Sequence, residues 1–238
     1  MADRSDLTIK VFADGADLDS ILELASDPLI SGFTTNPTLM RKAGVGDYES
    51  FARKVLEHIT DRPVSFEVFS DDFAEMKRQA IRIASWGPNV CVKIPVTDTH
   101  GTSSAPLIAD LTADGMHLNV TAILALDQVR TVTNALAGSS GAVVSVLAGR
   151  IADTGRDPVP LMAEAVTILA PHPTLELLWA SPREVLNVRQ AESVGCHIIT
   201  MVPDLLKKLA GLDRTLEEVS LDTVRMFHGD AAASGYLV

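Results

Sequence analysis

Residues 64–96 have the sequence VSFEVFSDDFAEMKRQAIRIASWGPNVCVKIPV, and this stretch decides the fold. It holds two short apolar segments rich in β-branched and aromatic residues, Val64–Ser70 and Val90–Val96, which are typical of strands. Between them, Asp72–Ile83 carries apolar residues at helical spacing and begins with an aspartate suited to cap a helix. Strand, helix and strand over about 30 residues form a βαβ unit, which makes the two strands parallel.

The same unit recurs along the chain, because strand candidates start about 22 to 32 residues apart, close to the length of a βαβ unit. The eight candidates are Thr8–Asp14, Gly32–Asn36, Val64–Ser70, Val90–Val96, His117–Ile123, Val143–Gly149, Leu175–Ser181 and His197–Val202. The segments with helical spacing between them are Asp17–Ala25, Tyr48–Ile59, Asp72–Ile83, Thr121–Leu136, Val159–Leu169 and Pro182–Ser193. Strict alternation favours a parallel sheet, and eight units favour an α/β fold of the (β/α)8 TIM-barrel type. No Gly-x-Gly-x-x-Gly turn supports a doubly wound dinucleotide-binding sheet instead.

The domain organisation follows from the absence of any Pro/Gly/Ser-rich linker or low-complexity tract in the sequence. We expect one domain over residues 1–238, with the barrel over about residues 7–206. C-terminal helices are expected over about residues 204–238, with Asp204–Ala210 and Leu221–Phe227 as their helical segments.

The charge balance excludes two classes of partner. The chain has 31 acidic and 20 basic residues and a net charge of −11, whereas nucleic acids and anionic membranes attract basic surfaces. No apolar run reaches the ~18 residues of a membrane span, and the polar N-terminus is unlike a signal peptide. Two cysteines, Cys91 and Cys196, cannot form a disulfide framework. We therefore expect a soluble cytoplasmic protein with no nucleic-acid or membrane partner.

Polar side chains interrupt or end seven of the eight strand candidates. They are Asp14, Thr34, Asn36, Glu67, Lys93, Asn119, Thr121, Ser145, Arg150, Ser181 and Arg183. Because the active site of a TIM barrel lies at the C-terminal ends of its strands, these side chains are expected at one common mouth. Each also has a simpler interpretation: Asp14 could cap the following helix, Asn36 could form a turn before Pro37, and the arginines could lie on the surface.

Lys93 and Glu67 are the strongest candidates, because both lie within apolar runs and such residues are almost never buried without a partner. A buried pair could be structural. Burial also disfavours the charged ammonium of a lysine, however, and so provides a neutral amine that can attack a carbonyl. Lys93 is therefore a candidate for Schiff-base formation.

Taken together, the motifs resemble the transaldolase and fructose-6-phosphate aldolase family of class I aldolases, from Phe12 to about Leu206. The matching pieces are FAD (Phe12–Asp14), TTNP (Thr34–Pro37), VKIPVT (Val92–Thr97), NVT (Asn119–Thr121), SVLAGRI (Ser145–Ile151) and ASPR (Ala180–Arg183). The resemblance implies that Lys93 forms the Schiff base, that Asp14 moves the proton of a sugar hydroxyl, and that Glu67 and Thr121 hold a catalytic water. The residues it implies for substrate binding are Thr34, Asn36, Asn119, Ser145, Arg150, Ser181 and Arg183.

The implied activity is transfer of a dihydroxyacetone unit from a ketose phosphate to an aldose phosphate. No cofactor or metal is implied, since the iminium itself polarises the substrate. Small-molecule sugar phosphates are the expected partners, and the family's assemblies imply a homo-oligomer. Glu67 stands where transaldolases have Glu and the aldolase branch has Gln.

Leu147 departs from the family, which has an aromatic residue at this position, and the departure leaves the sugar substrate open. One alternative is an aldolase-like C–C lyase, or a transaldolase homologue with an unusual sugar. An alternative from another class is a non-catalytic barrel that binds sugar phosphates.

Overall fold

The computed structural model describes residues 7–235, in which eight parallel strands close into a barrel in chain order. The strands are β1 (Lys10–Asp14), β2 (Ile30–Thr34), β3 (Val64–Glu67), β4 (Val90–Pro95), β5 (Leu118–Ile123), β6 (Ala142–Val146), β7 (Leu175–Trp179) and β8 (Ile198–Met201). Pairing of β8 with β1 completes the closure. The predicted (β/α)8 fold is confirmed, and every predicted strand is present with its ends shifted by a few residues.

Helices surround the barrel and follow its strands. They are α1 (Leu18–Ala25), α2 (Pro37–Lys42), α3 (Tyr48–His58), α4 (Phe73–Ala84), α5 (Ala105–Ala113), α6 (Leu126–Ala135), α7 (Ala148–Ala152), α8 (Val159–Leu169), α9 (Leu186–Ser193), α10 (Pro203–Lys208) and α11 (Leu216–Ser234). The side chains of Asp17, Asp47 and Asp72 cap three of them by accepting backbone N–H groups at 2.8–3.0 Å.

The sequence pattern placed several element boundaries wrongly, and two of these lie at the mouth of the barrel. Helix α6 begins at Leu126 and not at Thr121, because Thr121 belongs to β5. The sixth strand was expected to continue to Gly149, but β6 ends at Val146 and α7 begins at Ala148. The chain therefore turns into a helix at the very point where the strand opens onto the mouth of the barrel.

Three helices, α2, α5 and α7, were not predicted. Helix α5 has the start signal of a serine at the N-cap, Ser104, followed by a proline in the first turn, although the side chain of Ser104 makes no capping bond. Helices α2 and α7 have six and five residues, too few for a helical period to emerge.

Alternation along the strands divides the side chains into two apolar layers. Outward-facing residues such as Val11, Phe33 and Val92 belong to the large core between the barrel and its helices. The barrel interior holds a separate cluster of Phe12, Val143, Leu178, Ala180 and Ile198. Of these residues, Phe12, Val143 and Ile198 lie two positions before polar residues of the same strands and form an apolar floor for the site.

Gly32 makes room for that floor. A Cβ atom at this position would lie 2.5 Å from the ring of Phe12, closer than van der Waals contact allows. Phe12 is 3% exposed, and truncating such a buried ring costs about 3–5 kcal/mol of stability. The close approach at Gly32 thus lets one aromatic ring fill the barrel directly beneath Thr34 and Asp14.

The C-terminal helices differ in how they pack. Helix α10 buries Leu205 and Leu206 against the barrel core. Helix α11, in contrast, has no buried residue over its 19 residues. None of the helices within residues 7–235 is both long and apolar enough to cross a membrane.

Candidate active site

A cavity of about 480 Å³ opens at the C-terminal ends of the strands, and we call it the site cavity. Ten of the eleven predicted site residues line it: Asp14, Thr34, Asn36, Glu67, Lys93, Thr121, Ser145, Arg150, Ser181 and Arg183. Asn119 is the exception and lies beneath the cavity. The common mouth expected from the strand pattern therefore exists.

Lys93 projects from β4 into the site cavity and is only 9% exposed. Its Nζ donates to the backbone oxygen of Thr35 at 3.0 Å and lies 3.1 Å from Oε2 of Glu67. The strand register pairs Glu67 directly with Lys93, so the backbone of the sheet brings the two groups together. A buried amine that faces a cavity is placed to attack the carbonyl carbon of a bound substrate.

Asp14 ends β1 and faces the same cavity. The hydroxyl of Thr34 donates to its Oδ1 at 2.8 Å, and Nδ2 of Asn36 lies 3.5 Å from its Oδ2. Burial raises the pKa of Asp14, while the charge of Lys93 and the hydrogen bonds from Thr34 and Asn36 oppose that rise. A carboxylate with a raised pKa is a better proton acceptor than an ordinary surface aspartate.

The simpler interpretation of Asp14 as a helix cap is wrong, because Asp17 caps α1. For Asn36, the simpler interpretation and the site assignment both apply. Its Oδ1 caps α2 by accepting the N–H of Leu39 at 3.0 Å, and its Nδ2 faces Asp14. The cap thus holds the amide group in the orientation that faces the site.

Two further groups around the site were missed in the sequence. Thr200 of β8 lines the cavity, and its Oγ1 lies 2.6 Å from Oγ1 of Thr34. Tyr48 of α3 donates its hydroxyl to the backbone oxygen of Glu67 at 3.0 Å. Burial raises the pKa of Tyr48, so its hydroxyl keeps the proton that it donates. Strand alternation could have revealed Thr200, whereas no sequence signal indicates Tyr48.

Asn119 takes part in a hydrogen-bond chain below the cavity. Its Nδ2 donates to Oγ of Ser65 at 3.1 Å, and its Oδ1 accepts the hydroxyl of Ser145 at 2.7 Å. Asn119 is fully buried. The structure therefore places it as the support of Ser145, one layer below the residues that line the cavity.

Two arginines lie at the mouth of the site cavity. Arg150, on α7, is exposed, and its side chain makes no hydrogen bond to any of residues 7–235. Arg183 pairs with Asp153 through Nε at 3.0 Å and Nη2 at 2.5 Å. The exposed guanidinium of Arg150 provides local positive charge at the mouth, whereas the charge of Arg183 is balanced by Asp153. Guanidinium groups bind phosphate by charge-assisted hydrogen bonds.

The chain segments that carry the arginines are packed against each other. The N–H of Gly149 donates to the backbone oxygen of Ala180 at 3.2 Å. A Cβ atom at Gly149 would lie 1.5 Å from the backbone oxygen of Ser181, so no other residue fits. Ser181 itself adopts a left-handed conformation with φ of 58°. This contact fixes the start of α7 against the end of β7.

An apolar wall completes the cavity. Leu147 precedes α7 and lines the cavity together with Leu178 and Ala180.

Across residues 7–235, no group of three or more His, Cys, Asp or Glu side chains is arranged to hold a metal ion.

Comparison with known protein families finds one match over most of the chain. The family described as "Transaldolase/Fructose-6-phosphate aldolase" matches residues 11–235. A protein of Chelativorans sp. (strain BNC1) named "Probable transaldolase" is 37% identical over 203 residues, covering 84% of this chain and 88% of its own length. A "Probable transaldolase" of Brucella anthropi is 34% identical over 229 residues, covering 95% of this chain and 98% of its own.

Among solved structures, a "putative phosphonomutase" from Burkholderia cenocepacia J2315 has a similar fold. The TM-score is 0.58 at 17% identity, covering 86% of this chain and 93% of the other. At this identity the likeness concerns the barrel alone.

Proposed function

The chain belongs to the transaldolase/fructose-6-phosphate aldolase family and is a transaldolase-type enzyme, and from this premise we propose that it transfers a dihydroxyacetone unit between sugar phosphates through a Schiff base on Lys93. Suitable donors are fructose 6-phosphate and sedoheptulose 7-phosphate, and the acceptor is an aldose phosphate. The observation that carries the proposal is the buried Nζ of Lys93, 3.1 Å from Glu67 inside a cavity whose mouth holds two arginines.

In the proposed first step, the neutral amine of Lys93 attacks the C2 carbonyl carbon of the ketose. The resulting carbinolamine loses its hydroxyl as water, with a proton relayed from Glu67 through a water molecule held by Glu67 and Thr121. An iminium forms on Nζ and withdraws electrons from the neighbouring carbon atoms.

Asp14 then takes the proton of the C4 hydroxyl, and the C3–C4 bond breaks. The electron pair of the C3–C4 bond moves into the iminium and leaves a three-carbon enamine on Lys93. C4 becomes the aldehyde carbon of the departing aldose. The enamine carbon attacks an acceptor aldehyde, and Asp14 returns its proton to the new hydroxyl. Hydrolysis of the iminium by water releases the new ketose and the amine.

The remaining cavity residues are proposed to bind the substrate. Asn36 and Ser145 face the dihydroxyacetone part, with Thr34 and Asn119 as their neighbours. Arg150, Ser181 and Arg183 would bind the phosphate group. The support for this division is positional: Asn36 and Ser145 line the cavity with Lys93, and the arginines lie at its mouth.

A second candidate function is supported by Leu147. In place of an aromatic side chain, this apolar residue lines the cavity wall next to Leu178 and Ala180. A wider acceptor side would let the enamine carbon take a proton from water before an acceptor binds. Hydrolysis of the resulting iminium would then release dihydroxyacetone, which is the outcome of an aldolase. A wider side would equally accommodate an unusual sugar. The family membership favours either enzyme over a non-catalytic sugar-phosphate binder.

The test is intact-mass spectrometry after borohydride reduction in the presence of fructose 6-phosphate. We expect an adduct of three-carbon size on the wild type and none on Lys93→Met. No adduct on the folded wild type, with fructose 6-phosphate or any of a panel of ketose phosphates, would contradict the Schiff-base proposal. Release of free dihydroxyacetone without an acceptor would favour the aldolase outcome.

We further propose that the protein acts in the cytoplasm as a homo-oligomer. Helix α11 supports the homo-oligomer, because a helix of this length gains little stability without tertiary packing. Its exposed apolar side chains are Leu216, Val219, Leu221, Val224, Met226 and Phe227. Light scattering coupled to size-exclusion chromatography should give a mass of two or more chains, and a monomer would contradict the proposal.

A further inference from the structure

Thr38 and Thr200 are the polar residues of the site cavity to which the proposed function assigns no role, and of the two only Thr200 is buried. It lies in the middle of β8, is 5% exposed, and pairs in register with Phe12 of β1. Its Oγ1 lies 2.6 Å from Oγ1 of Thr34, a short distance for two hydroxyl groups. Thr34 is itself 2% exposed, so the bond is shielded from water.

The direction of this bond follows from the number of hydrogen atoms. A threonine hydroxyl has one proton to donate and two lone pairs that accept. Ionised Asp14 can only accept, so the proton of Thr34 goes to Oδ1 of Asp14, 2.8 Å away. The bond between the two threonines then requires Thr200 to donate. A directed chain therefore runs from Thr200 through Thr34 to Asp14.

We propose that Thr200 is a positioning residue for the proton transfer at Asp14, acting through Thr34. This inference rests on the proposed role of Asp14 as the base in C–C cleavage. By donating to Thr34, Thr200 fixes the rotamer of that hydroxyl and polarises it, which strengthens the bond from Thr34 to the carboxylate. The three side chains belong to three adjacent strands of the closed barrel, β8, β2 and β1, so the sheet itself sets their spacing.

The other charged groups around Asp14 do not replace this chain. In the site cavity they are Glu67, Lys93, Arg150 and Arg183, and in a neighbouring hollow that Asp14 also lines they are Asp17, Lys42 and Asp204. Of these, Lys93 contributes most to the ionisation of Asp14, and Glu67 opposes it. Side-chain hydrogen bonds to Asp14 come from Thr34 and Asn36, the latter at 3.5 Å. Thr34 is the closer of the two donors, so its orientation matters most.

The experiment compares Thr200→Val, which keeps the shape of the side chain and removes its hydroxyl, with Thr200→Ser, which keeps the hydroxyl. The matched control is Thr133→Val on α6, because the hydroxyl of Thr133 is buried without a hydrogen-bond partner among residues 7–235. Borohydride trapping with fructose 6-phosphate separates the two steps. An adduct of intact-ketose size reports Schiff-base formation, and an adduct of three-carbon size reports cleavage.

We expect Thr200→Val to lower kcat roughly fivefold, as for the loss of one hydrogen bond, with KM nearly unchanged. The trapped adducts should shift towards intact-ketose size, and the acid limb of the kcat profile should move to higher pH, because ionised Asp14 loses support. Thr200→Ser should keep the wild-type ratio of the two adducts and the wild-type pH profile of kcat. Thr133→Val should match the wild type in both.

A wild-type adduct ratio and pH profile in folded Thr200→Val would overturn the inference while leaving the proposed function intact. An equal loss of both adducts in Thr200→Val, with the same loss in Thr200→Ser, would show that Thr200 acts in packing and would also overturn the inference. Absence of any adduct on the wild type would instead contradict the proposed function. Circular dichroism confirms that each variant is folded before these comparisons are made.

Discussion

The barrel contains two lysine–glutamate pairs, one at each end. At the C-terminal end of the strands, Lys93 lies 3.1 Å from Glu67, with side chains 11% and 16% exposed. At the N-terminal end, Lys10 lies 2.8 Å from Glu176, with side chains 54% and 34% exposed. The same two functional groups at nearly the same distance thus have very different access to water.

The difference teaches what burial adds to an ion pair. Water screens the outer pair, and such a pair contributes about 0–1 kcal/mol of stability. Burial of the inner pair costs desolvation energy that the attraction between the charges only partly offsets, so stability alone gives no reason to retain it. A buried amine that faces a cavity is instead useful to a reaction in which it acts as the nucleophile.

The largest expected effect is on the inner lysine. Lys93→Met should lower turnover by at least about three orders of magnitude, because no other group can form the covalent intermediate. Lys10→Met is the matched control at the other end of the barrel and should keep wild-type kcat and KM. Initial rates of aldose release measure both variants. Since Lys93→Met leaves Glu67 buried without its partner, Lys93→Arg serves as a second inactive variant that keeps the charge.

The next effect concerns Asp14. Asp14→Asn should lower kcat by about 10²–10⁴-fold, the usual contribution of a general base. Retention of wild-type kcat in a folded protein would show that another group takes the proton.

The same substitution should raise the free energy of unfolding at neutral pH. The folded-state pKa of Asp14 is raised, so the folded protein binds the proton more tightly than the unfolded chain does. Ionised Asp14 therefore destabilises the fold; this cost is full above the folded-state pKa, shrinks as the pH falls towards the unfolded-state pKa, and is absent below it. Urea unfolding at pH 7 and at successively lower pH should show Asp14→Asn to be more stable at pH 7, with a difference that shrinks on acidification. The opposite trend would contradict the raised pKa.

A smaller effect is expected at the mouth. Arg183→Ala should raise KM for a phosphorylated donor roughly tenfold, since one charge-assisted contact is lost. KM for the same ketose without phosphate should stay unchanged. An equal rise for both donors would show that Arg183 supports the cavity and does not bind phosphate.

The smallest effect should follow from breaking the outer pair. Glu176→Gln is expected to change the free energy of unfolding by less than about 1 kcal/mol, as for other exposed pairs. Thermal melts at low and high salt check this, because a screened pair loses its small contribution as salt is added. A large loss would mean that the two ends of the barrel are more alike than their exposure indicates.

Sequence patterns anticipated the inner pair better than the outer one. Lys93 and Glu67 interrupt apolar runs, and the alternation of strand residues placed both inside the barrel. Lys10 and Glu176 also occur in strands, but a charged residue near a strand end is common and indicates no partner. Their pairing joins β1 to β7 past the intervening strand β8, a contact that no local pattern contains.

The limits of the sequence pattern at the site have similar physical causes. Thr200 is a good strand former, so its residue type carries no signal, and although strand alternation indicates that it faces inward, only the closed barrel brings it to Thr34. Asn119 looked like a cavity residue because it shares strand parity with Thr121, but a residue two positions earlier lies one layer deeper. Alternation along a strand predicts the face on which a side chain lies. The depth of that side chain within the barrel depends on the arrangement of all the strands.

The contact between Gly149 and Ser181 has a consequence for how this protein could change its substrate. The groups proposed for carbon–carbon chemistry stand on strands, whereas Leu147, Arg150 and Arg183 stand on two connecting segments joined at that contact. Because of this close contact, the conformation of each segment depends on that of the other. An engineer who grafts a new specificity onto this barrel would have to replace residues 147–153 and 180–183 together, and could leave the chemistry of the strands untouched.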